Sequence, residues 1–473
     1  MQRSTKIVAT LGPATNEPDV LTRLIAAGVN VVRLNFSHGK AEDHIARAQM
    51  VREVAARLNL PVAIMVDLQG PKIRVGKFEK NKINLEPGQA FILDAACEIG
   101  NDERVGLDYK ELPRDVSTGS VLLLDDGRIV LDVETVHGSA IHTRVRVGGV
   151  LSNNKGINRQ GGGLSAPALT AKDMDDIKVA AQLEADYVAV SFPKSSADMY
   201  MARTLIQAAG SKAQVVAKIE RTEAIANLEE LIDASDVIMV ARGDLAVEVG
   251  DAAVPALQKR MIRLARDKNK LTITATQMME SMITSPVPTR AEVSDVANAV
   301  LDGTDAVMLS AETAAGKYPV ETVEAMARVC IEAEKSSDYR LDRDFLSRDL
   351  TRVDQSIAMA ALFTAIHLKV KAIVALTQTG ATALWTSRVN CGVPIYAMTP
   401  ELGAYRRLSL FRDVFPMTLA HDCDQQSLLT SAEVKLLEHG LVQPGDLIVI
   451  TVGDTVGQMG GTNTMKIVRV AQR

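Results

Sequence analysis

VNVVRLNFSHGKAEDHIARAQMVREVAARLNLPVAIMVD, residues 29–67, decides how the rest of the chain is read. It holds two apolar runs, Val29–Leu34 and Val62–Asp67, on either side of AEDHIARAQMVREVAARLNL (41–60), a stretch with helical spacing of its apolar positions. The runs are continuous rather than alternating, which suits strands of a parallel sheet buried on both faces. Strand, helix and strand make one βαβ unit. Six further apolar runs stand at Lys6–Thr10, Asp186–Ser191, Gln214–Ile219, Asp236–Ala241, Leu271–Ala275 and Asp305–Ser310, nearly all with helical patterns between them. Eight units predict an α/β chain built on a (β/α)8 TIM barrel, closed by a last helix near Pro319–Ala333. An open doubly wound sheet is the alternative.

The rhythm breaks between about Pro71 and Pro167. Helical patterns vanish there, and turn signals (Glu86-Pro87-Gly88, Asp126-Gly127, Gly148-Gly149) separate short segments such as SVLLLDDGRIVLDVETV. This predicts a small all-β domain, a β-barrel lid, inserted after the third strand on the face where strand-to-helix loops lie. After the charged stretch Glu334–Asp354, the runs AIVALTQ, PIYAMTP and DLIVITVG predict parallel strands of a separate C-terminal α/β domain. The expected layout is a barrel over 1–70 and 168–340, a lid over 71–167 and a regulatory domain over 341–473.

At 473 residues the chain exceeds what one hydrophobic core supports. Lys+Arg at 53 against Asp+Glu at 58 leaves −5, which points away from nucleic acid and anionic membranes as partners. Any anionic substrate must therefore be drawn in by local positive groups. MQRSTKIVAT lacks a signal peptide's apolar region, and no stretch approaches the ~20 apolar residues of a membrane span. Cys97, Cys330, Cys391 and Cys423 have no metal-ligand spacing and read as reduced thiols, so the cytoplasm is the expected compartment.

In a barrel of this kind the chemistry sits at the C-terminal ends of the strands. Those ends carry Arg33 and Asn35, Asp67 and Arg74, Lys194, Lys218 and Glu220, Arg242 and Asp244, Thr276, then Ser310 and Glu312. Glu220 and Asp244 end neighbouring strands, and two carboxylates plus substrate oxygens and water suit Mg2+. Gly243 lets the backbone approach a ligand closely. Lys218 shares a strand face with Glu220, where an ammonium can stabilise a transferring phosphoryl group or an enolate. Arg33 and Arg74 offer forks for phosphate oxygens. Taken singly, each carboxylate is as readily a salt bridge or helix cap, each arginine a solvated surface charge. No phosphate-binding G-x-x-x-x-G-K-[ST] loop occurs, Gly161-Gly162-Gly163 does not open a helix after a strand, and His38 and His44 lie outside any zinc pattern.

TKIVATLGPAT (5–15), VVRLNFSHG (31–39), DLQGPKIR (67–74), AKIERTEA (217–224), VARGDLAVE (240–248), ATQMMESM (275–282), PTRAEVSDVANAVLDGTDAVMLSAET (288–313) and GTNTMKI (461–467) together resemble the pyruvate kinase family, in the family's order over essentially the whole chain. The resemblance implies transfer of the phosphoryl group of phosphoenolpyruvate to ADP. It implies that Glu220 and Asp244 hold Mg2+ or Mn2+, and that backbone at Arg242, Gly243 and Asp244 with the Thr276 hydroxyl orients the substrate carboxylate. Lys218 would stabilise charge between phosphoryl group and enolate. Arg33, Asn35, His38 and Arg74, with Lys194, would cradle ADP and the transferred phosphate. Thr276 or Ser310 would lie on the route that protonates the enolate, and a homotetramer is the usual assembly.

Two features depart from the commonest pattern of the family. Many relatives hold K+ through groups matching Asn35, Ser37, Asp67 and a Thr where Leu68 stands, and carry Glu where this chain has Lys72. Leu68, Gln69 and Lys72 resemble the K+-independent branch, in which a lysine ammonium supplies the charge that K+ supplies elsewhere. Ala315 stands where many members have lysine. LTQTGATA (376–383) resembles the family's effector phosphate loop, through Thr377, Thr379, Gly380 and Thr382. The loop GDTVGQMGG (453–461) lacks the Arg and Trp expected for fructose-1,6-bisphosphate, so a sugar monophosphate or AMP is the expected effector. A metal-dependent phosphoenolpyruvate or pyruvate lyase would need neither ADP nor a β lid, and an inert metabolite sensor would not need Lys218, Glu220, Asp244 and Thr276 together.

Overall fold

The computed structural model describes residues 2–336, 350–389, 391–420, 424–453 and 461–472. The expected boundary at 340/341, Cys423 and most of the 453–461 loop lie outside the described residues. Eight parallel strands form a closed barrel: Lys6–Thr10, Val31–Asn35, Ala63–Asp67, Tyr187–Val190, Gln214–Ile219, Val237–Ala241, Leu271–Ala275 and Ala306–Leu309. The ring closes where Lys6 pairs with Ala306 and Ala9 with Leu309, which excludes the open doubly wound sheet. The helix read between the second and third strands spans Ala41–Leu58 and stops at Asn59, which takes the left-handed conformation common at helix ends. The closing helix runs Pro319–Lys335, with proline in its first turn where no N–H is needed.

Alternate residues of each strand enter two different cores. Ile7, Val32, Ile64, Val188, Val215, Ile238 and Val307 pack outward against the helices. Val8, Val31, Met65, Tyr187, Val216, Met239, Ile273 and Met308 fill the interior. Both faces are apolar, which is why the strands read as continuous runs rather than alternating ones. The interior cluster continues at the N-terminal ends of the strands into Leu362, Ile373, Val389, Leu410 and Val414 of the C-terminal domain.

Between the third strand and the helix Ala171–Gln182 the chain is β apart from one short helical turn, Leu112–Asp115. A six-stranded sheet and two two-stranded ones wrap a shared apolar core that includes Phe91, Leu93, Leu122, Leu131 and Ile157. The segment read from its turn signal folds as Val121–Leu124 paired antiparallel with Ile129–His137. Its turn places Asp125, Asp126 and Gly127 at positive φ, as a tight hairpin requires.

The C-terminal sheet has the order Val414–Thr418, Ile395–Thr399, Ala372–Leu376, Leu447–Gly453, Thr462–Arg469, with only the last strand antiparallel. The three central strands match the expected runs. The two edge strands were not among those runs: the apolar Val414–Thr418 contains Pro416, tolerated at an edge, and Thr462–Arg469 is largely polar. A buried charge joins this domain to the barrel. Asp305, at the base of the eighth strand, accepts from the Arg388 guanidinium (3.1 Å) and from Arg412 N (3.2 Å). Arg388 also donates to Lys270 O at 2.8 Å, and Lys6 Nζ to Val414 O at 2.6 Å.

Removing Arg388 leaves Asp305 charged and unpaired in the interior, so Arg388→Ala is expected to lower unfolding stability by about 3–5 kcal/mol. The double variant Arg388→Met with Asp305→Asn should recover most of that loss. Equal losses in the two, measured by denaturant unfolding, would show that the ion pair is not the source.

Candidate active site

The inward alternation that places Val8, Val31, Met65, Ala189 and Val216 in the interior continues one step further along each strand. There it reaches Thr10, Arg33, Asp67, Ser191 and Lys218, and then Glu220. The uppermost interior layer is therefore polar. Asp67, 1% exposed, is its hub. Its Oδ2 lies 2.6 Å from Arg33 Nε and 2.6 Å from a terminal nitrogen of the same guanidinium, while Oδ1 lies 3.3 Å from Lys218 Nζ and 3.3 Å from Ser191 Oγ. Lys218 Nζ also sits 2.9 Å from Glu220 Oε1 and donates to Ser191 Oγ at 2.7 Å. Arg33 reaches Thr10 Oγ1 at 3.0 Å, and Phe192 N donates to Glu220 Oε2 at 2.9 Å.

Burial opposes ionisation of Asp67, Lys218 and Glu220, and the neighbours decide each outcome. For Asp67, Lys218 and Arg33 outweigh burial and hold the carboxyl below its usual range. For Lys218, Asp67 and Glu220 outweigh burial and raise the ammonium pKa. Glu220 differs. Burial and the nearby Asp244 charge raise its pKa, and Lys218 only partly opposes them. One carboxylate thus remains short of positive charge, on the side facing Asp244.

Asp244 lies in the first turn of the helix Arg242–Val249, which follows the sixth strand. Lys72, from the start of the insertion, brings Nζ to 3.8 Å from Asp244 Oδ1. Gly243 N donates to Thr276 Oγ1 at 2.8 Å. Thr276 and Gln277 hold φ of 68° and 54°, a conformation costly for a β-branched residue. The Arg242 guanidinium supports that turn, bonding Thr276 O (2.8 Å) and Asp295 (2.7 Å). Its side chain is engaged beneath the loop, and its backbone leads into Gly243 and Asp244. Among the described residues no group of three or more His, Cys, Asp or Glu forms a metal cage. Asp244 is near enough to raise the Glu220 pKa, and two neighbouring carboxylates are the kind of donor that suits a hard cation whose other oxygens would come from substrate and water.

The remaining expected residues divide into those near this cluster and those engaged elsewhere. His38 has its pKa lowered by burial first, then by Arg74, Arg33 and Lys72, so a neutral imidazole sits among three nearby cations. Asn35 Oδ1 accepts from Ser37 N at 3.1 Å, and Leu68 is buried with its carbonyl accepting from Ser191 Oγ at 2.7 Å. Arg74 turns toward the insertion: its N–H donates to Asp108 (2.7 Å) and its guanidinium to Asn154 O (3.4 Å). Lys194 Nζ donates to Leu164 O at 3.2 Å. Ser310 N–H is taken by Glu312 Oε2 at 2.6 Å. In the C-terminal domain, Thr377 Oγ1 accepts from Gly380 N (3.0 Å), Thr379 Oγ1 from Ala381 N (3.4 Å), and Thr382 pairs with Thr462 (2.7 Å). Gly380 holds φ of 96° in that turn.

Thr10 and Ser191 escaped the sequence reading. Each looks like an ordinary polar end to an apolar run. The available signal was phase, since Thr10 alternates with Val8 and Ser191 with Ala189.

The family described as "Pyruvate kinase, barrel domain" matches residues 2–323, and "Pyruvate kinase, alpha/beta domain" matches residues 355–468. The chain is 53% identical to pyruvate kinase II of Salmonella typhimurium over 474 aligned residues, which cover 99% of each. It is 53% identical to the pyruvate kinase of Haemophilus influenzae over 98% of this chain and 97% of that protein. A crystal structure of a pyruvate kinase from Cryptosporidium parvum superposes with a TM-score of 0.94 at 36% identity, covering 99% of this chain and 96% of the other. With both domains matched and relatives aligned end to end, the chain belongs to the pyruvate kinase family.

Proposed function

We propose that the cluster at the barrel mouth transfers the phosphoryl group of phosphoenolpyruvate to ADP, giving pyruvate and ATP, the last step of glycolysis. The observation that carries this is Lys218, held between Asp67 and Glu220 on the side where Asp244 enters. Phosphoryl transfer is mostly positioning and electrostatics, and a preorganised ammonium there meets negative charge as it passes from the phosphoryl group to the enolate oxygen. Enzymes of this family generally need Mg2+. Glu220 and Asp244 would hold Mg2+ or Mn2+, which when bound supplies positive charge to the phosphoryl and enolate oxygens. Backbone N–H groups at Arg242, Gly243 and Asp244, with Thr276 Oγ1, orient the substrate carboxylate. Arg33, Asn35, His38 and Arg74 form the rim for ADP and the transferred phosphate, with Lys194 beside them. Thr276 and Ser310 border the route by which water protonates the enolate.

Lys72 takes the place of a monovalent cation: its ammonium lies beside Asp244, and Leu68 offers no side-chain oxygen to complete a site with Asn35, Ser37 and Asp67. The barrel unit (1–70 and 168–340), the lid (71–167) and the regulatory unit (341–473) form one protomer of a cytoplasmic homotetramer. Thr377, Thr379, Gly380 and Thr382 receive the phosphate of a sugar monophosphate or AMP.

Pyruvate formation with Mg2+ in K+-free buffer is expected to be rapid and unchanged on adding K+, and Lys72→Glu should make it K+-dependent. A parent enzyme that turns over only with K+ would sink the lysine reading and leave the reaction standing. Lys218→Met should cut kcat by about 10²–10³-fold, the loss typical of one preorganised charge-stabilising group, while Mn2+ binding persists. A loss below about ten-fold would remove Lys218 from the transfer step.

A further inference from the structure

The chain leaves the inserted unit through residues 157–164, and this return segment is fastened to the barrel. Gly161 N donates to the Glu248 carbonyl at 3.4 Å, and Gly163 N donates to the Glu223 carboxylate. Leu164 O accepts from Lys194 Nζ at 3.2 Å and from Arg221 at 3.5 Å. Beneath it lies the Glu248 side chain, 4% exposed. Its Oε2 accepts the Thr222 N–H at 2.9 Å, and its carboxyl is hydrogen-bonded to the Asn158 side chain. Asn158 belongs to the inserted strand Ile157–Arg159, and Thr222 opens the helix that follows Glu220.

Glu248 occupies the last turn of Arg242–Val249, the helix whose first turn carries Asp244. Four residues apart, the two acids lie on one face of one rigid element. A single buried carboxylate therefore touches the inserted unit and the turn after Glu220, and rides on the helix of Asp244. Nothing in the transfer chemistry uses it.

We propose that Glu248 is a positioning residue that couples seating of the return segment 157–164 to the spacing of Glu220 and Asp244. With the segment seated, the Asn158 and Thr222 contacts hold the helix so that both carboxylates face one cation; when it lifts, the helix loses that brace. The inference rests on the reading of Glu220 and Asp244 as metal ligands. The cleft around Glu248 is lined by Lys72, Asn158, Leu164, Phe192 and Arg221, with Glu223 nearby. Burial, the leading cause, pushes the Glu248 carboxyl up to about 7; Thr222 N–H and Arg221 oppose it, and Glu223 adds to it. Its ionised form is the stronger acceptor for Thr222 N–H and the Asn158 amide.

The test is made on the full chain, with Mn2+ as the probe. Glu248→Ala should speed amide hydrogen exchange at 157–164 and raise the Mn2+ concentration for half-occupancy about 10–100-fold, as loss of an outer-shell support does. Glu248→Gln keeps an acceptor for Thr222 N–H and should restore most of both. Faster exchange with unchanged Mn2+ affinity would reduce Glu248 to a local prop and overturn the coupling, as would weaker Mn2+ binding with unchanged exchange. Asp244→Asn is the control: if it binds Mn2+ like the parent, the metal reading fails instead. Should the alanine variant not fold, pH decides. Corrected protection at 157–164 should rise in the parent as pH passes about 7 and stay flat in Glu248→Gln, and parallel curves would overturn the proposal.

Discussion

Asp67 is an ionised carboxylate enclosed at the end of a barrel, where water cannot solvate it, and the surrounding strands are arranged around its compensation. Arg33 and Lys218 supply the opposite charges from the second and fifth strands. Ser191 donates to it from the fourth, and Thr10, on the first, accepts from the Arg33 guanidinium. Five of the eight strand ends are thereby tied to one charge. Buried ion pairs of this kind seldom exceed a well-packed apolar layer in stability, whereas removing one partner strands the other. Stability alone would be as well served by the valines and methionines one layer below. The polar layer makes physical sense as a prepaid electrostatic environment for a charged substrate.

Strain gathers around the same mouth. Phe192, Thr276 and Gln277 all hold left-handed backbone, a conformation worth about 1–3 kcal/mol each outside glycine. Two of them have a support: Glu220 accepts the Phe192 N–H, and Arg242 braces the carbonyl of Thr276. The insertion closes over this rim through Lys72 and the segment ending at Leu164. The helix Arg242–Val249 thus has Asp244 at one end and the inserted unit at the other.

At the opposite end the barrel interior runs without a break into the C-terminal sheet. Arg388 follows the helix Ala381–Ser387, which begins at the threonine-rich turn, and its guanidinium grips Asp305 at the foot of the eighth strand.

The barrel was legible because its signals are local. A strand buried on both faces must be a short apolar run, an amphipathic helix must repeat its apolar positions, and all eight runs lie within two residues of the observed strands. The two edge strands of the C-terminal sheet were not legible, since an edge strand buries too little to need an apolar run. Residue types at the mouth were visible too: Arg33, Asp67, Lys218, Glu220 and Asp244 each stand near or just beyond the C-terminal end of a strand. Their partners were not. Asp67 reads as one of several oxygens around a monovalent cation, and only the closed ring makes it the buried counter-charge of Arg33 and Lys218. Arg74 reads as a rim arginine, and only the fold shows that its guanidinium also bonds Asn154 O of the insertion. Amino-acid sequence alone determined the periodicity, the number of βα units, the interruption after the third and the chemical kinds of group at the strand ends, because each depends on neighbours a few residues away. Tertiary structure decided which charge neutralises which and where Glu248 reaches, because Coulomb and hydrogen-bond energies depend on distance through space, and ring closure sets those distances between residues far apart along the chain.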